Sequence, residues 1–188
     1  MSAIQPALKR RIPRIRLVQG DATDAASVAS VVRGADAVVN AISPRPGKHG
    51  KPAPSLTDAA RALISGLKEA GVKRLAVVGG AGSLEVAPGV ALVDTPGFPD
   101  AYKPEALEQR DALDVYRAEA GWIDWTYLSP AAMIQPGERT GRYRRTTGDQ
   151  FLTDAQGNST ISFEDYAVAL VDELEEPQHS GRRFGVAY

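Results

Sequence analysis

The stretch Arg14-Ile-Arg-Leu-Val-Gln-Gly-Asp21, followed by Asp24 to Gly34 and by Ala37-Val-Val-Asn40, decides the fold class of this chain. It predicts a short strand at 15–18 that ends in Gly-Asp, a short amphipathic helix, and a buried strand that ends in small residues. That order is typical of the middle of a doubly wound α/β domain. No glycine precedes Gly20. The strand, glycine-rich turn and helix that open such domains are therefore missing from their expected place.

The alternation of strands and helices continues along the chain. Further strands are predicted at 75–78, 125–128, 141–145, 150–153 and 183–188, helices at 55–71, 104–120 and from 162 to before Pro177, and irregular structure at 84–101. The predicted N-caps are Asp24, Ser55 or Thr57, and Ser162, which forms a capping box with Asp165. We therefore predict a single Rossmann-like domain over residues 1–188, with a doubly wound parallel sheet that is N-terminally incomplete. A small β-rich segment at about 130–160 is predicted on the substrate side.

Composition excludes several classes of function. The net charge is −1 with a pI of about 6.1, so nucleic acid is not expected as a partner, and the basic cluster at 9–11 is more typical of a solvated helix end. The chain has no cysteine, which excludes thiolate catalysis, and His49 and His179 lack metal-ligand spacing, so no metal is expected. Without a membrane-length apolar run or a signal-peptide region, a cytoplasmic location is predicted.

Small residues follow each predicted parallel strand. They stand at Gly20-Asp21, at Asn40-Ala-Ile-Ser43, at Gly79-Gly-Ala-Gly82 and at Ser129-Pro-Ala131. In doubly wound sheets the ligand lies outside the carboxyl ends of the strands, and small residues let it approach the backbone. These segments are therefore candidates for a binding site, with tight strand–helix turns as the alternative interpretation.

The same residues carry a resemblance to a known family. Gly20-Asp-Ala-Thr-Asp24, Val38-Val-Asn-Ala-Ile-Ser43, Val77-Val-Gly-Gly-Ala-Gly-Ser-Leu84 and Tyr127-Leu-Ser-Pro-Ala-Ala132 resemble the NAD(P)H-binding, NADH-flavin reductase family. This family belongs to the atypical short-chain dehydrogenase/reductases, close to the NmrA-like proteins. The resemblance runs from about residue 14 to the end and includes Pro136 to Tyr143 and Ile161 to Ala167.

The resemblance implies a set of cofactor-binding positions. Asp21, beside Gly20 and Ala22, would accept a hydrogen bond from the adenine amino group, unless it is only a turn residue or helix cap. Ala41, Ile42 and Ser43 would border the ribose and nicotinamide, and the segment Gly79, Gly80, Ala81 and Gly82 would form the floor of the nicotinamide site. Ser129 and Pro130 are further candidates for cofactor binding. Lys103 would contact ribose or phosphate, or else be a surface lysine at a helix entry. No catalytic residue is identified.

Two departures from the family pattern affect the functional prediction. The opening Gly-x-x-Gly-x-x-Gly unit is absent, and in the usual strand order its strands would lie between 15–18 and 37–40. We expect an N-terminally truncated chain, or a gap filled by residues 1–13 and another chain. The Tyr-x-x-x-Lys pair of carbonyl reductases is also absent, because Ala106 stands four residues after Tyr102 and Ala120 four after Tyr116. A flavin acceptor needs no such proton donor.

Three functional hypotheses follow. The first is an NAD(P)H-dependent oxidoreductase that transfers hydride to a flavin or similar acceptor held by residues 44–54 and 129–143. The second is a non-enzymatic, NmrA-like dinucleotide sensor. The third is a truncated chain that does not bind the cofactor, for which exposed strand edges favour partner dependence or a homodimer. The choice between NADH and NADPH stays open.

Overall fold

The computed structural model describes residues 15–44 and 54–188, and its centre is a five-stranded sheet in the order β1-β2-β5-β9-β7. Neighbouring strands from β1 to β9 pair in parallel, and β7 adds an antiparallel edge. The strands are β1 (Ala37–Asn40), β2 (Arg74–Val78), β5 (Asp124–Ser129), β7 (Arg144–Arg145) and β9 (Arg182–Ala187). The predicted α/β class with its mostly parallel sheet is confirmed.

Four helices connect and cover the sheet among the described residues: α1 (Ala25–Val32), α2 (Leu56–Ala70), α3 (Lys103–Glu119) and α4 (Phe163–Glu175). Three of them begin at a side-chain cap that the sequence predicts. Asp24 accepts from the Ser27 amide, Ser55 from the Asp58 amide and Ser162 from the Asp165 amide. Helix α2 ends at Gly71, whose φ of 74° is the left-handed conformation that favours glycine.

The sheet separates two hydrophobic cores, and β5 contributes to both. Trp125 and Tyr127 of β5 pack with α2 and α3 on one side of the sheet. Leu128 packs with Phe184 of β9 and with α4 on the other side. Alternate side chains of one strand point to opposite faces, so the apolar run of β5 is buried on both.

Two short pairings lie outside the main sheet. Strands β3 (Glu85–Ala87) and β4 (Val90–Ala91) form an antiparallel hairpin, within the stretch 84–101 that the sequence predicts to be irregular. Strands β6 (Met133–Gln135) and β8 (Thr160–Ser162) pair in parallel and enclose much of the predicted substrate-side segment. Neither pairing was predicted, because strands of two or three residues are too short to show a period of two.

Two predicted strands are wrong. Residues 15–21 form no strand, and a groove separates residues 18–22 from β1. A strand requires a neighbouring backbone about 5 Å away, and none lies beside 15–18 among the described residues. Residues 150–153 also form no strand: Gln150 makes one isolated bridge to Glu85, and the following residues continue as a loop.

The outer edge of β1 is open among residues 15–44 and 54–188, because β1 stands at the end of the sheet. Apolar side chains line the groove beside it, and Val18, Val31 and Val39 are 50%, 43% and 44% exposed. In the usual strand order of doubly wound sheets, two further strands would lie between residues 15–18 and β1, which is the position of this groove. Within the same described ranges, no helix is both long and apolar enough to cross a bilayer.

Candidate functional site

The carboxyl ends of β1, β2 and β5 meet at one edge of the sheet. Asn40 is in register with Val77, and Val78 with Leu128, so the segments that follow the three strands start side by side. The sequence-predicted segments at 41–43, 79–81 and 129–130 therefore share this edge. Residues 20–22 reach it from the far side of the groove.

A groove of about 260 Å³ brings together five of the predicted positions. Gly20, Asp21 and Ala22 line one wall, and Ala41 and Ile42 line the other. The remaining lining is mainly aliphatic: Val18, Val28, Val31, Val32, Val39 and Leu63, with Ser27 and Asn40. Ser43, Gly79, Gly80, Ala81, Lys103, Ser129 and Pro130 do not line this groove. Its size is near the lower end of small-molecule sites, which suits part of a dinucleotide.

Asp21 has a defined local role in a turn. One oxygen of its carboxylate accepts from the Thr23 amide at 2.9 Å and from the Thr23 hydroxyl at 2.7 Å, and the Asp21 amide donates to the Ser27 hydroxyl. This is an Asx-type turn that leads into α1. The turn interpretation is therefore correct for Asp21, and its contact with adenine stays a prediction.

Packing explains why the turn after β2 requires small residues. A Cβ atom on Gly79 would lie 1.9 Å from Cε1 of Tyr127, and one on Gly82 would lie 2.6 Å from Cβ of Ala106. Tyr127 is fully buried and donates its hydroxyl to Gln109 of α3, so the ring is fixed. Close packing accounts for these two glycines without a ligand.

The other predicted positions fall into two groups. Ser129 is fully buried and donates its hydroxyl to the Gly80 carbonyl at 2.8 Å, so it fixes the neighbouring turn. Pro130 and Ala81 are half-buried at the edge, and Lys103 is exposed at the first residue of α3. The cofactor contacts assigned to these residues stay predictions.

Two tyrosines beneath the edge are unsuited to donate a proton. Tyr116 is buried and accepts a hydrogen bond from the Asn40 amide group at 3.0 Å. Burial raises the pKa of Tyr116 to about 12 despite the hydrogen bond from Asn40. Burial likewise raises the pKa of Tyr127. Deep burial removes both phenols from contact with a ligand, which agrees with the absence of the Tyr-x-x-x-Lys pair.

The segment 137–143 is held against the start of α4. The buried Asp165 carboxylate accepts from the Thr140 hydroxyl at 2.6 Å, the Gly141 amide at 2.7 Å and the Tyr188 hydroxyl at 2.8 Å. The Ser162 hydroxyl adds a bond to the Glu138 carbonyl. Burial by itself raises the pKa of Asp165. The hydrogen bonds from Thr140, Gly141 and Tyr188 outweigh burial, so the pKa of Asp165 lies below its ordinary value.

The Asp165→Asn variant should lose about 2 kcal/mol of unfolding free energy at pH 7, because the amide cannot accept from all three donors. Since the folded-state pKa is lowered, the stabilisation by Asp165 is present above the unfolded value of about 4 and is lost as the pH falls through the folded value. Urea unfolding from pH 3 to pH 7 should therefore show a weaker pH dependence in the variant. The exposed Asp111→Asn is the control, and an equal pH dependence in wild type and Asp165→Asn would contradict the expectation.

Arg183 is a further residue at this edge that the sequence analysis did not identify. It lies in β9 and is 2% exposed, and its guanidinium reaches the hydroxyl and carbonyl of Ser83 in the turn after β2. An arginine in a strand indicates an exposed position when the sequence is considered alone. Only the register of β9 beside β5 places it under the turn.

Comparison with known proteins decides the family. The model of a family described as NAD(P)H-binding matches residues 4–177. The chain belongs to this NAD(P)H-binding family. The NAD(P)H-binding chain is 48% identical over 155 residues to YwnB of Bacillus subtilis, a protein described as uncharacterised; the match covers 80% of this chain and 70% of YwnB.

Solved structures agree with the NAD(P)H-binding family and fold. A Burkholderia pseudomallei protein described provisionally as exported is 47% identical with a TM-score of 0.82, over 93% of this chain and 82% of that protein. SP1627 of Streptococcus pneumoniae, described provisionally as an NADH-flavin reductase, is 30% identical with a TM-score of 0.77, over 98% and 91% of the two chains. Two predictions from the sequence are therefore confirmed: the resemblance to the NAD(P)H-binding family and the Rossmann-like fold class. One structural neighbour is described provisionally as a reductase.

Proposed function

We propose that this chain binds NADH or NADPH along the carboxyl edge of β1, β2 and β5 and promotes hydride transfer to a flavin or a similar planar acceptor. The observation that carries the proposal is the meeting of three small-residue strand ends beside the groove that contains Asp21. An edge of this kind is where doubly wound sheets bind nucleotides. Membership in an NAD(P)H-binding family and the described likeness to an NADH-flavin reductase support the choice.

The described residues fit parts of a dinucleotide. The groove between Asp21 and Ala41 offers an acceptor carboxylate and aliphatic walls, which suit an adenine ring with its amino group. The turn at 79–83 offers a close backbone approach for the nicotinamide end. Residues 15–44 and 54–188 contain no glycine-rich loop that opens a helix, so no described residue is assigned to the pyrophosphate.

The contribution of the chain to the reaction is orientation and exclusion of water. Reduced nicotinamide, when bound, supplies a hydride. The turn after β2 would fix the ring about 3–3.5 Å from the acceptor atom, a distance at which orientation lowers the barrier by several kcal/mol. The anchored segment 137–143 would form a wall for the acceptor, together with residues 44–54, of which 45–53 lie outside the described residues. A proton from water completes the two-electron reduction of a flavin, so the buried Tyr116 and Tyr127 need not take part.

The test is calorimetric titration with NADH and NADPH, followed by oxidation of the bound cofactor with FMN, riboflavin or FAD as acceptor, monitored at the nicotinamide absorbance. The Asp21→Asn variant should bind about tenfold more weakly, because the amide preserves the Thr23 bonds but replaces an acceptor oxygen with an NH₂ donor. The exposed Asp36→Asn is the matched control. Failure of the wild type to bind either dinucleotide would refute the proposal.

Turnover separates the proposed enzyme from the alternatives. Binding without oxidation by any flavin would favour the dinucleotide sensor, and binding of neither dinucleotide would favour a chain that does not bind the cofactor. A cytoplasmic location and a homodimer stay predictions.

A further inference from the structure

In the turn after β2, the carbonyl groups of residues 80–83 each accept a hydrogen bond from the protein. The carbonyl of Gly80 accepts from Ser129, that of Ala81 from the Leu84 amide, that of Gly82 from the Val93 amide and that of Ser83 from Arg183. The Gly80 amide hydrogen-bonds to the buried Tyr127 hydroxyl, and the amides of residues 81–83 donate to no other described residue. The protein therefore fixes the turn at its carbonyl groups and at the Gly80 amide.

Arg183 is the one charged side chain in this set of contacts. Its guanidinium donates to the Ser83 hydroxyl at 2.7 Å and to the Ser83 carbonyl at 2.8 Å. It also lies 2.5 Å from Oδ1 of Asp149, and Arg117 of α3 contacts the same oxygen. Because the buried guanidinium makes paired contacts with Ser83 and with Asp149, both its position and its orientation are fixed.

Burial of the Arg183 charge costs desolvation free energy, and a residue that only had to fill this space would not need a charge. The Arg183 side chain is 1% exposed, while Asp149 is one-third exposed and has Arg117 as a second partner. An apolar side chain at 183 would avoid desolvation of the guanidinium, and Asp149 would keep an ion pair. What only an arginine provides is a simultaneous bond to Asp149 and to the backbone of Ser83, one hundred residues away in sequence.

We propose that Arg183 is a positioning residue for the nicotinamide end of the site, because it holds the 80–83 turn in place at the carboxyl edge of the sheet through Ser83. The inference rests on the proposed function. Arg183 does not itself touch the cofactor; it acts through Ser83. Removal of the guanidinium frees the Ser83 carbonyl, so the turn can rotate away from its position at the edge.

The experiment compares two ligands with four proteins. Wild type, Arg183→Met, Arg183→Lys and the control Arg182→Met are titrated with NADH and with ADP-ribose, which lacks the nicotinamide ring. Arg182 is the exposed neighbour in the same strand. We expect Arg183→Met to weaken NADH binding about tenfold and to change ADP-ribose binding less than twofold, with partial recovery in Arg183→Lys. Equal losses for both ligands, or none for NADH, would overturn the inference.

A ligand-free measurement separates this inference from the proposed function. In ¹⁵N-labelled protein, the amide signals of Gly80 and Gly82 should shift and broaden in Arg183→Met, while that of the distant Gly121 stays. If the wild type binds neither ligand, the proposed function fails, and unchanged glycine signals would then reject the role of Arg183 in the turn as well. Ser83→Ala, which removes only the hydroxyl contact, should keep the carbonyl bond and shift these signals less. This milder variant serves if Arg183→Met does not fold.

Discussion

Replacement of Gly79 by alanine should lower the unfolding free energy by about 3 kcal/mol, the upper end of the range for overpacked cores. The added Cβ would lie 1.9 Å from Cε1 and 2.5 Å from Cζ of Tyr127. The ring cannot move aside, because it is fully buried and its hydroxyl donates to Gln109. Urea unfolding followed by circular dichroism measures the loss.

Two further variants make the result specific. Gly97→Ala is the matched control, since its Cβ would meet nothing within 4 Å and its φ is not positive. Tyr127→Leu removes the obstructing ring. The double variant Gly79→Ala, Tyr127→Leu should therefore lose less unfolding free energy than the sum of the losses in the two single variants. A Gly79→Ala protein as stable as Gly97→Ala would show that Tyr127 does not fix this turn.

Replacement of Glu173 by alanine should have the largest effect on stability, about 4 kcal/mol. Glu173 is 1% exposed and accepts from His179 Nδ1 at 2.7 Å, from Arg74 Nη2 at 3.3 Å and from two backbone amides, those of Gln178 and His179. Arg74 is itself largely buried and would keep neutral hydrogen-bond acceptors but only one carboxylate partner, Asp124 at 3.4 Å. Removal of one member of a buried ion pair leaves the partner charge without compensation.

The control for this variant is Glu175→Ala, two residues further along α4 and exposed, which should change the unfolding free energy by less than about 0.5 kcal/mol. Glu173→Gln should give an intermediate loss, because the amide keeps one acceptor but loses the charge. Burial raises the pKa of Glu173, yet the His179 hydrogen bonds outweigh burial and lower it. The contribution of Glu173 is therefore present at neutral pH and is lost at acid pH. Equal stability of the Glu173→Ala and Glu175→Ala proteins would contradict the network.

Apolar runs made most strands of the main sheet predictable, and caps made the starts of the helices predictable. The runs that contain Val38, Val77 and Tyr127 became three adjacent parallel strands, and Ser162 caps α4 as its spacing to Asp165 predicts. The predicted strand at 15–18 failed for a tertiary reason. Val18 has a β-prone neighbourhood, but a strand exists only where a second backbone accepts its hydrogen bonds, and a groove lies beside it.

The candidate site was predictable as an edge but not in its details. The positions after each strand follow from the rule on carboxyl ends of parallel strands. Gly79 must be small because Tyr127, 48 residues later in the sequence, packs against it, and the hydroxyl of Ser129 donates to the Gly80 carbonyl. Neither contact is visible in a local sequence pattern. The role of Arg183 depends on the register of β9, which no local pattern encodes.

The position of β5 between the two cores has a consequence for cooperativity. Trp125 and Tyr127 belong to one core, and Leu128 belongs to the other, on the same six-residue strand. When either core opens, β5 loses the packing of one face and its neighbours β2 and β9 lose the strand between them. We therefore expect the two cores to unfold together rather than independently, so that the turns after β2 and β5 lose their structure in the same transition.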